Sequence, residues 1–278
     1  MAVGGGIVPA LAALAINTEG WAAGFYLLGI LPLLVGIPMV FLLETPALNI
    51  HAGRSDGTAA LSDRPLYAEG MSFRDALRSR VFYTLLVIFL LTPMAMHALQ
   101  LHLVSLLSDR GVSTAFSVGA LSFLFSVSLV SGLVLGFIFD RFFAPKIGAL
   151  CLFLTSLGVL LLLFVHDSSP ALTMLAVGLL GLGAGTEGDL IALLISRYFG
   201  MRSYGVIYGA VFAALMLGSA VGPFLLGWIF DDFKSYDVAL YGCAAAPALC
   251  ALLLLTLPRY VFAEPEEQTP PAAVVPAV

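Results

Sequence analysis

The chain has 278 residues, of which 60% are apolar and 10% charged, and a formal net charge of -5. Soluble domains carry about 45–50% apolar and about 25% charged residues, and one globular core cannot hide such an excess. The balance excludes a disulfide-stapled secreted domain, a nucleic-acid binder with a basic surface and a disordered regulator; the mean hydropathy of +1.04 fits a chain that crosses a bilayer repeatedly.

Hydropathy divides the chain into eight apolar segments, at 1–16, 20–43, 80–107, 113–139, 146–165, 170–196, 203–230 and 236–258. Each is long enough to cross most or all of a hydrocarbon layer about 30 Å thick, which predicts an all-α membrane protein with eight transmembrane helices. The first segment begins apolar at once, with no charged region ahead of it, so it does not read as a signal peptide. Residues 44–79 form the one long connection, with Pro46, His51, a Gly/Ser/Asp cluster at 53–57 and Pro65. Near its end, Ser72 followed three residues later by Asp75 and then by Ala76 and Leu77 predicts a short, capped surface helix. Gly53, Ser55 and Gly57 satisfy a G-x-S-x-G pattern, but that motif needs a strand-turn-helix elbow and this loop has none. The tail at 259–278, with Glu264, Glu266 and Glu267 among prolines, is expected to be disordered.

Cys151, Cys243 and Cys250 fall inside apolar segments and read as free thiols. No metal-ligand spacing, phosphate loop or nucleophile-base-orienter set is present, so neither a cofactor nor an enzymatic activity is expected. Basic residues then set the direction. With the first segment running outward, Arg54, Arg64, Arg74, Arg78, Arg80, Arg141, Lys146, Arg197, Arg202 and Arg259 lie on the cytoplasmic side, and only Arg110 and Lys234 outside. Retention of basic loops in the cytoplasm therefore predicts that both termini are inside.

Ionisable residues at membrane depth are costly and mark candidate sites. His97, Gln100 and His102 fall in the third segment, Glu187 and Asp189 in the sixth. Glu187 and Asp189 are about 200° apart around a helix and cannot face one cavity. Glu187, nearer mid-span, is the preferred cavity residue, and Asp189 is expected to pair with a neighbouring helix or Arg197. His97 and Gln100 share a face. His102 lies nearer the outer surface, where a solvated or capping role competes with ligand binding. Tyr208 in the seventh segment is a further candidate. Ser122 and Ser126 either line the cavity or bond their own backbone one turn back. Glycines four apart, at 132/136, 181/185, 205/209 and 218/222, predict close helix contacts.

Residues Gly136 to Arg141 (Gly-Phe-Ile-Phe-Asp-Arg) resemble the G-x-x-x-D-R loop signature of the major facilitator superfamily, between its eighth and ninth helices. Gly222, Pro223 and Gly227, the run Gly4 to Pro9, and the basic loop after the second segment follow that family's order. On this resemblance the chain spans family helices five to twelve: 1–43 the last two helices of the N-terminal half, 44–79 a cytoplasmic linker, 80–258 the complete C-terminal six-helix half. Gly136, Asp140 and Arg141 form the conformational loop motif. The third and sixth segments become helices seven and ten, which line the family's cavity, and this makes His97, Gln100, His102 and Glu187, with Tyr208, the implied substrate-binding set.

A narrower similarity, carried by His102 to Gly111 and by Glu187 and Asp189 leading into Ser196 to Gly200, is to the bacterial monocarboxylate and oxalate/formate branch. Relatives of the monocarboxylate type place an Asp and an Arg in helix eight; here Phe116 to Phe139 carries no charge. The resemblance implies secondary transport of a small organic anion such as a carboxylate by alternating access. It also implies a small-molecule substrate, the lipid bilayer and a coupling proton as partners, no nucleic acid, and a multi-pass place in a bacterial inner membrane. A truncated fragment or scaffold that moves nothing stays open as the alternative. With the family's first four helices absent, the chain alone is not expected to transport.

Overall fold

A computed structural model describes residues 20–42, 70–166 and 169–262. The expected first span, most of the linker with its G-x-S-x-G pattern, and the acidic tail lie outside these residues. The chain divides into two units at Pro65. The first contributes α1 (Trp21–Leu42), a 22-residue apolar helix with Pro32 and Pro38 inside it. The second holds α2 (Phe73–Ala76), α3 (Arg80–Asp109), α4 (Thr114–Arg141), α5 (Ala144–Leu162), α6 (Pro170–Phe199), α7 (Tyr204–Phe233) and α8 (Asp237–Leu255). All but α2 are long and apolar enough to cross a membrane, which makes seven such helices among the described residues. The fold is that of an all-α, multi-pass membrane protein.

Local chemistry sets the ends. Ser72 caps α2 as its position predicted, accepting from the Asp75 amide at 3.3 Å, and its hydroxyl also donates to the Asp75 carboxylate at 2.6 Å. Ser79 and Ser113 cap α3 and α4. Pro145 and Pro170 occupy first turns of α5 and α6, where a missing N–H costs nothing. Gly111 (φ 82°) and Gly200 (φ 71°) reverse the chain after α3 and α6 in left-handed conformations that a Cβ would strain.

The six long helices of the second unit form two matching triplets. The starts of α3 and α6, and of α4 and α7, are each 90 residues apart, and those of α5 and α8 are 93 apart. Packing follows the same exchange: α3 lies against α7 as α6 lies against α4, α8 against α3 as α5 against α6, and α5 against α8 across the centre. This is the signature of two three-helix repeats of opposite topology. Glycines allow the closest approaches. A Cβ at Gly218 or Gly222 would meet the carbonyls of Leu90 or Met94, and one at Gly185 would meet Ser131 and Ser128. The pair at Gly205 and Gly209, expected to mark a helix contact, has no neighbour within 4 Å of a built Cβ. Spacing alone does not say which way the pair points, and here it faces open space.

Buried apolar side chains form two layers. One joins the start of α3 to the ends of α6 and α8, with Phe89, Leu194, Phe199 and Leu254. The other joins the end of α3 to the starts of α6 and α8, with Leu103, Leu107, Leu180 and Leu240. On α6 the seam between them runs from Leu180 to Leu190, so Glu187 sits between the layers. The tail begins later than its composition suggests. Phe262 N–H donates to Arg197 O at 2.9 Å and Tyr260 packs on Phe143 and Tyr198, because these aromatic residues have apolar surface to bury.

Candidate functional site

Two polar regions emerge in the second unit. The first is an open groove of about 700 Å³ between α4 and α6, reaching Met201 and Tyr204. Asp140 and Asp189 both line it, among Gly132, Gly136, Leu193 and Ser196. The sequence expectation is corrected here. Asp189 is exposed and has no ion-pair or hydrogen-bond partner among the described residues. It lines the groove because positions 181, 185 and 189 share the α6 face that packs along α4. Asp140 is the acid of the loop motif, so the groove joins that motif to the sixth span. Gly136 belongs to the same wall, and Arg141 is exposed beside it at the end of α4.

The second region is the seam inside the bundle. Glu187 is half-buried as a residue, yet its Oε1 is fully buried and has no hydrogen-bond partner among the described residues. A buried carboxyl oxygen without a partner is costly and needs a purpose. On the partner repeat, the residue 90 positions earlier is His97, so the two sit at the same place on equivalent helices. His97 Nδ1 lies 3.2 Å from Pro93 O and 3.4 Å from Ser219 Oγ. A carbonyl only accepts, so in the neutral ring Nδ1 carries the proton and Nε2 is left as an acceptor. Ser219 reaches His97 from α7 while donating to Leu215 O at 2.9 Å. No sequence signal singled out Ser219, since its role depends on which helix packs beside α3.

The remaining candidates separate. Gln100 is half-buried one turn beyond His97. His102 lies toward the far end of α3, its ring 6.1 Å from that of Tyr236 and close to Gly227, which is a packing position. Tyr208 stacks between Tyr204 and Phe212, with ring centroids 5.7 Å away on each side. Tyr204, absent from the sequence candidates, brings that ladder to the groove, and its i, i+4, i+8 spacing was readable. Ser122 and Ser126 donate to Val118 O and Ser122 O, the backbone alternative. Cys151, Cys243 and Cys250 are free thiols. Among the described residues no group of His, Cys, Asp or Glu has the arrangement of a metal site.

A bundle of spanning helices built from inverted repeats, with polar groups gathered between its apolar layers, defines a membrane transporter for a small solute. The family model of the Major Facilitator Superfamily matches residues 1–216 and 127–276, and the chain belongs to that superfamily. No curated protein matches the sequence.

Proposed function

We propose that the solute is a small organic anion, carried with a proton by alternating access, and that Glu187 is the proton-carrying residue. The observation that carries this reading is the buried Oε1 of Glu187, without a hydrogen-bond partner among the described residues, at the seam between the two apolar layers. A carboxyl placed there cycles between charged and neutral forms as each membrane face opens, and its neutral form admits an anion without like-charge repulsion. His97, at the equivalent position of the other repeat, with Nε2 unpartnered among the described residues, is the second polar wall. Gln100 and Tyr208 extend it, and His102 belongs to the outer approach.

The repeats, matched at 90 residues, support assigning α3 to α8 to the family's C-terminal half and α1 to its N-terminal half, with residues 44–79 as the cytoplasmic linker. In the same reading both termini face the cytoplasm of a bacterial cell, and Gly136, Asp140 and Arg141 form the loop that changes contacts as the halves rock. The test, made in a complete twelve-helix version of the transporter, is uptake of labelled small carboxylates into proteoliposomes under an imposed pH gradient. Glu187→Gln removes the gradient-driven component while leaving insertion unchanged. Uptake that ignores the pH gradient in the parent protein refutes proton coupling, and no uptake of any carboxylate favours a non-transporting scaffold.

A further inference from the structure

Two sets of contacts at opposite faces of the second unit have the same wiring and different chemistry. Helices α3, α4 and α5 cross in succession, so the ends of α3 and α5 and the start of α8 share one face. The ends of α6 and α8 and the start of α5 share the other. On the first face Arg110, the residue that closes α3, donates from Nη1 to Leu163 O at 2.7 Å and from Nη2 to Asp237 Oδ1 at 2.5 Å. Leu163 is the C-cap of α5, and Asp237 is the first residue of α8.

On the second face Tyr198, in the last turn of α6, donates from its hydroxyl to Pro258 O at 2.6 Å, just past the end of α8. The Tyr260 hydroxyl, whose ring lies 5.4 Å from that of Tyr198, accepts from the amide of Ala144 at 3.0 Å. Ala144 is the first residue of α5. Each set therefore ties the end of the first helix of a repeat to the end of that repeat's third helix, and to the first residue of the other repeat's third helix. Ala144 and Asp237 are the equivalent positions.

We infer that these are two matched clasps, one at each membrane face, that fasten α5 and α8 to α3 and α6 as a rigid frame, with α4 and α7 left outside it. Four features support a mechanical role. Both clasps use backbone groups with no partner inside a helix, the Leu163 carbonyl and Ala144 amide at helix ends and the Pro258 carbonyl just beyond α8. Asp237 in the first turn of α8 also suits the positive end of that helix. And α4 and α7, which no clasp touches, are the least buried of the six, at 22% and 28% of their apolar spans against 39% or more for the others. Arg110 is nearly enclosed, with 13% of its side chain exposed, and its bond to Leu163 O is shielded, while the Asp237 end of the pair, 57% exposed, meets solvent. The inference does not depend on which solute is carried.

Hydrogen exchange of the full chain in lipid nanodiscs tests it, since local opening sets the exchange rate of each segment. Asp237→Asn keeps the side-chain shape and weakens only the ionic clasp. It speeds exchange about ten-fold around 160–166 and 237–241, leaving 142–148 and 256–262 within about two-fold of the parent. Tyr260→Phe keeps the ring, loses the hydroxyl and gives the reverse pattern. In neither variant does exchange across the middle of α4 or α7 change beyond two-fold. Any other pattern, including a response at both faces, at neither, or an equal response in α4 or α7, overturns the two-clasp frame. Asp237 is exposed and Tyr260→Phe is isosteric, so both variants are expected to fold, and a variant that fails to insert shows a core role and overturns the inference for its clasp.

Discussion

A Cβ built on Gly136 would lie 3.9 Å from the Asp189 carboxylate, across the groove between α4 and α6. The loop motif and the sixth span thus share a wall, and two carboxylates, Asp140 and Asp189, face the same open volume. The field of that wall favours cations.

A cysteine at Ser196, which lines the groove, reports this field. A cationic methanethiosulfonate is expected to react with it several-fold faster than an anionic one at low salt, and Asp189→Asn should bring the two rates closer together. Equal rates in the parent protein would show that the groove is screened or closed.

Glycine positions divide into those that need the absence of a Cβ and those that do not. Gly222→Ala would drive a methyl group into the Met94 carbonyl, with backbone on both sides and no flexible side chain to yield. The expected cost is about 1–3 kcal/mol, seen as a lower midpoint of thermal unfolding in detergent. Gly205→Ala meets nothing within 4 Å, and Gly136→Ala only an ordinary contact, so both should hold or raise that midpoint.

The orientation proposed from basic residues is checked at two described loop serines. Ser203 lies between α6 and α7 and Ser235 between α7 and α8, on opposite faces. In intact cells a cysteine at Ser235 should react with an impermeant thiol reagent, and one at Ser203 should not. The reverse pattern would invert the topology.

Tyr260 lies beyond the end of α8, outside the spanning helices. Burial pushes its hydroxyl above the ordinary tyrosine value of 10.0, while the Ala144 amide and the Arg197 guanidinium pull the other way. The unfolded chain loses this proton first as pH rises, so the contribution is complete below pH 10.0 and is lost as pH climbs through the higher folded value. The unfolding midpoint should therefore fall more steeply as pH rises above 10.0 in the parent than in Tyr260→Phe. Parallel slopes would remove Tyr260 from the alkaline limb.

Sequence by itself determined the membrane class and the described spans to within a few residues, because a hydrocarbon layer forces long apolar runs and leaves a hydropathy trace that needs no tertiary knowledge. It also determined the Ser72 cap, which is a local hydrogen-bond pattern, and that Glu187 and Asp189 face apart, which is helix geometry. What it did not decide was which of them meets the groove. That depends on the face α6 turns to α4, fixed by Gly181 and Gly185 against Leu124 and Ser128 on a helix some 50 residues away in sequence. The same holds for Gly205 and Gly209, identical in spacing to Gly218 and Gly222 but turned to open space, and for Tyr260, whose place against Ala144 no composition of the tail discloses. Periodicity states what a helix has on each face; only packing states what each face meets.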